Sequence, residues 1–275
     1  MKISRTLARS MTGISWADFT ANQWVGCTRI KAVKGAKSGC DICYAATFAE
    51  NRMGVTWGAG EDRRLVKNFR DKLRHLNRVA EKTGLSFSVF SESLSDPFDS
   101  EVPQDFRSSY FDGLEETPHL THVVLTHRPH NIVKFAPGHW MTELPANIWV
   151  GTTLDHYLHA FRWNKLQEVL GYSGRTWVSA EPLASSLMSL DLADAATIIV
   201  GGASNTKDPD WAFDVEWARE LIGKYGDKVF FKQHGVFREG NYVGTKKAGG
   251  ADVDGEYHLR TPWPLHRNIL LKAAV

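Results

Sequence analysis

The period of the hydrophobic positions changes repeatedly along the chain. Segments 86–90, 121–125, 147–150, 175–178, 197–200 and 228–231 are short runs rich in β-branched and aromatic residues, and they read as strands. A further strand precedes Cys27. Thr197-Ile198-Ile199-Val200 is apolar at consecutive positions, the pattern of a strand covered by helices on both faces. Between the strands the spacing becomes helical: Val66, Phe69, Leu73, Leu76 and Val79, then Phe106, Tyr110, Phe111 and Leu114 behind Pro103. Two more helices are marked by Tyr157, Phe161, Leu166 and Leu170, and by Phe213, Trp217 and Leu221. Proline suits the opening of the second of these four, because the first helical N–H has no partner to lose.

This alternation predicts an α/β protein built as a partial (β/α) barrel of about six to seven parallel strands. An open doubly wound sheet is the alternative. Either way ligands sit beyond the C-terminal ends of the strands, where the chain carries Ser91-Glu92-Ser93, Thr126-His127-Arg128, Gly151-Thr152-Thr153 and Ser179-Ala180-Glu181. Gly201-Gly202-Ala203-Ser204 and Lys232-Gln233-His234 complete the set, and all six are expected to line one pocket. The barrel is assigned to residues 1–235. Glycine-dense 235–255 opens a different segment, 236–275, read as a flap or tail with a long loop or small hairpin.

Composition narrows the function classes. Among 275 residues, 33 Lys and Arg against 31 Asp and Glu give a net charge of +2, so any nucleic-acid role needs a local basic patch. No apolar run approaches the roughly 18–20 residues of a membrane span. The basic start (Lys2, Arg5, Arg9) is not followed by an apolar core and cleavage site, which predicts a cytoplasmic protein with no membrane partner.

The three cysteines, Cys27, Cys40 and Cys43, fall in one short stretch. They are too few for a disulfide framework. No histidine occurs before His75, so a zinc ion lacks a nearby fourth ligand. Three cysteines on a four-iron, four-sulfur cluster leave one iron open to bind a substrate or cofactor directly. Spacing alone leaves three readings open: such a cluster; a structural zinc in a non-enzymatic nucleic-acid- or partner-binding protein; and a thiol redox protein exchanging Cys40 and Cys43.

The segments around them resemble a known pattern: Trp24-Val25-Gly26-Cys27, Gly39-Cys40-Asp41-Ile42-Cys43-Tyr44-Ala45, Ser91-Glu92-Ser93-Leu94-Ser95-Asp96-Pro97-Phe98 and Leu125-Thr126-His127-Arg128-Pro129. Asn147-Ile148-Trp149-Val150-Gly151, Val178-Ser179-Ala180-Glu181-Pro182-Leu183 and Phe230-Phe231-Lys232-Gln233-His234-Gly235 extend it over most of the chain. The sequence is similar to a phage and bacterial family of three-cysteine-motif proteins, which itself resembles spore photoproduct lyase and other radical S-adenosylmethionine (SAM) enzymes.

The resemblance implies a radical SAM-like TIM barrel in which Cys27, Cys40 and Cys43 carry a [4Fe-4S] cluster and SAM caps the open iron, yielding a 5′-deoxyadenosyl radical. It implies SAM-binding roles around Tyr44, Ser91, Glu92, Ser93, Asp96, Thr126, Arg128, Thr152, Ser179 and Glu181. Lys232, a cation at the end of an apolar strand, and His127, which titrates near neutrality, are the catalytic candidates. A nucleobase or nucleic-acid substrate, modified or repaired in a phage setting, is implied, with an electron donor of flavodoxin or ferredoxin type and a partner protein. The chain departs from the pattern in its first cysteine gap, about twice the usual length through 29–37, and in His127, Ala203 and His234, where the family carries Lys, Glu and Trp. The long gap makes a basic loop of Arg29, Lys31, Lys34 and Lys37 that is expected to overhang the pocket. Arg63, Arg64, Lys67, Arg70, Lys72 and Arg74 read as a solvated helix face, and Trp57 and Trp263 as exposed stacking residues.

Overall fold

A computed structural model describes residues 4–266. Lys2 and residues 267–275 of the C-terminal segment lie outside the described residues. Seven strands form one sheet: β1 (Phe19–Ala21), β2 (Phe87–Ser91), β3 (Leu120–Thr126), β4 (Ile148–Thr153), β5 (Thr176–Ala180), β6 (Ile198–Gly201) and β7 (Val229–Gln233). Every pairing is parallel and the spatial order follows the chain order. The sheet curls into a half-barrel, the partial barrel that the alternation predicts. Because each crossover returns on the same side, the helices gather on one face.

That face is the convex one. Helices α1 (Phe69–Thr83), α2 (Gln104–Glu115), α3 (Ala160–Leu170) and α4 (Val215–Tyr225) lay Leu73, Leu76, Leu114, Leu166, Leu170 and Leu221 against Val89, Val124, Val150, Val178, Val200 and Phe231 of the strands. The neighbouring strand residues point the other way. Phe90, Val123, Trp177, Ile199 and Phe230 join Trp16 and Trp263 in a second, aromatic cluster in the concavity. Successive residues of a strand face opposite sides, so each apolar run feeds both cores.

The helix at 157–170 differs from its prediction. Tyr157 and Phe161 are 45% and 52% exposed, and the buried stripe of α3 is Trp163, Leu166, Val169 and Leu170. Trp163 fits the 3.6-residue period with Leu166 and Leu170, and Phe161 does not. Trp24–Val25 pairs antiparallel with Arg64–Leu65 and stays out of the main sheet. Trp263 is buried, its ring edge-on to Trp16, Trp149 and Trp177. It closes the base of the half-barrel and is no exposed stacking platform. Residues 237–242 form the small hairpin, with Phe237–Arg238 paired to Asn241–Tyr242, and Val236, Phe237 and Val253 are buried. Among the described residues no helix is long and apolar enough to cross a membrane.

Candidate cofactor and active site

The strand ends open into a cavity of about 590 Å³, a size typical of small-molecule sites. Its floor is apolar, made by Ile14, Trp16, Phe90 and Leu125, and Trp57 also lines it. Its walls carry Cys27, Cys40, Cys43, Tyr44, Glu92, Ser93, Asp96, His127, Arg128, Ser179, Glu181 and Lys232. Gly244, Thr245 and Lys246 reach the same cavity from the C-terminal segment.

Ser91, Thr126 and Thr152 do not line it. They follow the concave-facing Phe90, Leu125 and Gly151 by one position, so their side chains stand on the convex side of the sheet. Ser91 Oγ lies 3.4 Å from His122 Nδ1, Thr126 Oγ1 donates to Asp96 at 2.7 Å, and Thr152 Oγ1 donates to the Thr126 carbonyl at 2.9 Å. Thr153, one residue on, takes the cavity position. His234 turns to a separate depression, with Nε2 2.7 Å from the Asp252 carbonyl.

The cysteine loop is held at both ends. On the Cys40 side, Gly39 N–H donates to Asp155 Oδ2 at 2.7 Å. Gly39 also lies so close to Pro182 that an added Cβ would come within 2.7 Å of its ring. Asp155 receives Arg162 Nη1 at 3.1 Å and His159 Nδ1 at 2.5 Å. Burial alone would raise the Asp155 carboxyl, but the His159 hydrogen bond and the nearby cations hold it down at about 2. On the Cys27 side, Arg128 Nη1 donates to Asp96 at 2.8 Å and lies 3.6 Å from Cys27 Sγ, while Nη2 donates to the Thr28 carbonyl. Arg63 is not on a solvated helix face. It precedes α1, is buried, and pairs with Asp99 at 2.8 Å while donating to Thr28 Oγ1 at 2.6 Å. Its charge is satisfied internally, which explains why it tolerates burial.

Trp57 is also buried. It packs with Val25, Ala45, Ala46, Ala49 and Val55 in an apolar wall that Cys27 and Cys43 touch. Burial pushes all three thiols up from their ordinary range.

The Cys27 sulfur faces the Arg128 guanidinium, with Nη1 at 3.6 Å. Such a donor suits a thiolate ligand. Among the described residues no three His, Cys, Asp or Glu side chains converge on a single metal ion. Cys27, Cys40 and Cys43 nevertheless line one cavity, and three cysteines are the donor set that a multi-iron cluster with one open iron would use.

Glu92 leaves β2 with φ of +61° and turns its carboxylate onto Gln23 N–H at 2.5 Å and the Ser95 hydroxyl. Burial pushes its pKa up to about 8. Lys232 meets Glu181 at 2.7 Å, the pairing that makes its position tolerable. His127 is driven down to about 4 by burial and by Arg162, whose Nη1 lies 3.4 Å from its Nδ1. Tyr44 Oη donates to the Ser93 carbonyl at 3.1 Å. Asp99, Asp155, His159 and Arg162 escaped the sequence reading; only the position of Asp155 just beyond a strand end signalled anything.

Residues 11–262 match the family described as "Protein of unknown function (DUF5131)", and the chain belongs to that family. No curated protein matches it. Among solved structures it is similar to a mutant spore photoproduct lyase with bound AdoMet and dinucleoside spore photoproduct, with 11% identity and a TM-score of 0.44. The match covers 76% of this chain and 61% of that one.

Proposed function

We propose that the protein is a radical SAM enzyme, with Cys27, Cys40 and Cys43 holding a [4Fe-4S] cluster and SAM lying in the strand-end cavity. One observation carries this reading: three half-buried cysteines line that one cavity, and a buried arginine donates to the sulfur of Cys27. When bound, the cluster supplies one electron to SAM, whose cleavage gives methionine and a 5′-deoxyadenosyl radical able to abstract hydrogen from a substrate. The chain's own residues prepare the site. Trp16, Phe90 and Leu125 keep water from the floor, and Glu181 and Lys232 offer an acceptor and a donor to polar groups of SAM or substrate. His127 is neutral at pH 7; with Nδ1 turned to Arg162, its proton is held at Nε2.

For the substrate we take a nucleobase or nucleotide, because an aromatic floor lies below a rim that carries Arg29, Lys232 and Lys246. A flavodoxin- or ferredoxin-type donor and a partner protein belong to the same reading. The test is anaerobic reconstitution with iron and sulfide, then dithionite reduction with SAM and chromatography for 5′-deoxyadenosine. The product is expected from the wild type and is expected to vanish in Cys40→Ala. Protein that takes up zinc and no labile sulfide overturns the proposal in favour of a binding module.

A further inference from the structure

The cysteine sulfurs are not equivalent. Cys27 Sγ lies 3.6 Å from a full positive charge, the guanidinium of Arg128. Arg128 is only 6% exposed, and both of its terminal nitrogens are engaged: Nη1 by Asp96 and Cys27, Nη2 by the Thr28 carbonyl, with Asp99 at 4.0 Å. Its orientation is set by the carboxylates behind it. Asp96 in turn is fixed by Thr126 Oγ1 and the His127 and Phe98 N–H groups, and Asp99 by Arg63 and Thr28 N–H. The guanidinium is therefore held with Nη1 directed at both Asp96 and the sulfur.

We propose that Arg128 is a positioning residue that raises the reduction potential of the cluster through a charge-assisted N–H···S hydrogen bond to Cys27. The inference rests on the cluster reading above. A donor at a ligating sulfur withdraws electron density, and a buried cation favours the more negative, reduced cluster. Exclusion of bulk water from the buried guanidinium strengthens both effects. Removing Arg128 also leaves the Asp96 carboxylate without its ion-pair partner near the sulfur, which acts in the same direction.

The experiment compares reconstituted wild type, Arg128→Gln and Arg128→Lys. Iron and sulfide content is measured first, then the midpoint potential by a redox titration followed by electron paramagnetic resonance, without substrate. The expected order runs from wild type, through Arg128→Lys, to a more negative Arg128→Gln, at comparable iron content. A midpoint in the loaded variants equal to that of the wild type overturns the inference and leaves the cluster reading intact. Should Arg128→Gln fail to load, Arg128→Lys decides by the same criterion. A wild type that takes up no iron–sulfur cluster overturns both.

Discussion

Glu92 and Asp155 show how burial is used at single positions around the cavity. The Glu92 carboxyl ionises near 4.5 when unfolded and at about 8 when folded. Between those values the folded protein holds the extra proton, so this group makes stability fall as pH rises through the window. Glu92→Gln imitates the protonated form. It is expected to gain stability relative to the wild type between about pH 5 and about pH 8, read from urea unfolding at both ends; parallel curves would show that Glu92 is not the source. Asp155 has the opposite role, holding a buried arginine, a buried histidine and the Gly39 N–H. Asp155→Ala strands these partners and is expected to cost about 3–5 kcal/mol in denaturant unfolding. Iron uptake should fall as well, because the Cys40 end of the loop loses its anchor.

At the scale of elements, the decisive fact is the alternation of each strand. A shift of one position separates Thr152, on the convex side, from Thr153, in the cavity. Polar strand ends were legible from the sequence, but which of two adjacent polar residues faces inward depends on the curl of the sheet. Close approach is equally specific. An added Cβ at Gly151 would lie 2.3 Å from the Trp177 indole, so glycine here lets that ring lie across β4 and support Trp16 at 5.5 Å. Gly151→Ala is expected to lose about 1–3 kcal/mol through overpacking, seen as a lower Tm. An unchanged Tm would mean that the indole moves freely.

Across the whole molecule, segments far apart in the chain, 16–18 and 263–266, meet at the base of the half-barrel. Trp263 donates from Nε1 to the Trp16 carbonyl at 2.8 Å, and His266 N–H bonds Asp18 at 2.8 Å. Trp263→Ala should therefore cost about 3–5 kcal/mol, although it stands near the end of the sequence; a loss within experimental error would contradict this packing. The basic loop offers a second test. Lys31 and Lys34 are exposed, whereas Lys37 bonds the Asp210 carbonyl and lies over Trp211. If this loop follows phosphates, affinity for a single-stranded oligonucleotide weakens with salt, and replacing Lys31, Lys34 and Lys37 together lowers the slope. Affinity independent of salt would remove nucleic acid from the reading.

Local information in the sequence determined the parallel α/β repeat, the polar strand ends at which the cavity opens, and the grouping of the cysteines. Apolar period, proline at a helix start and residue spacing all act within a few positions, so they survive without knowledge of the fold. Only the tertiary structure decided which strand-end side chains share the cavity, that Arg63 is buried, and that Trp57 and Trp263 are core. It also decided that Arg128 turns to Cys27. Each of these depends on partners far apart in the chain, such as Arg63 with Asp99 and Trp263 with Trp16. Whether a charge or an indole is solvated is settled by the partner that folding brings to it.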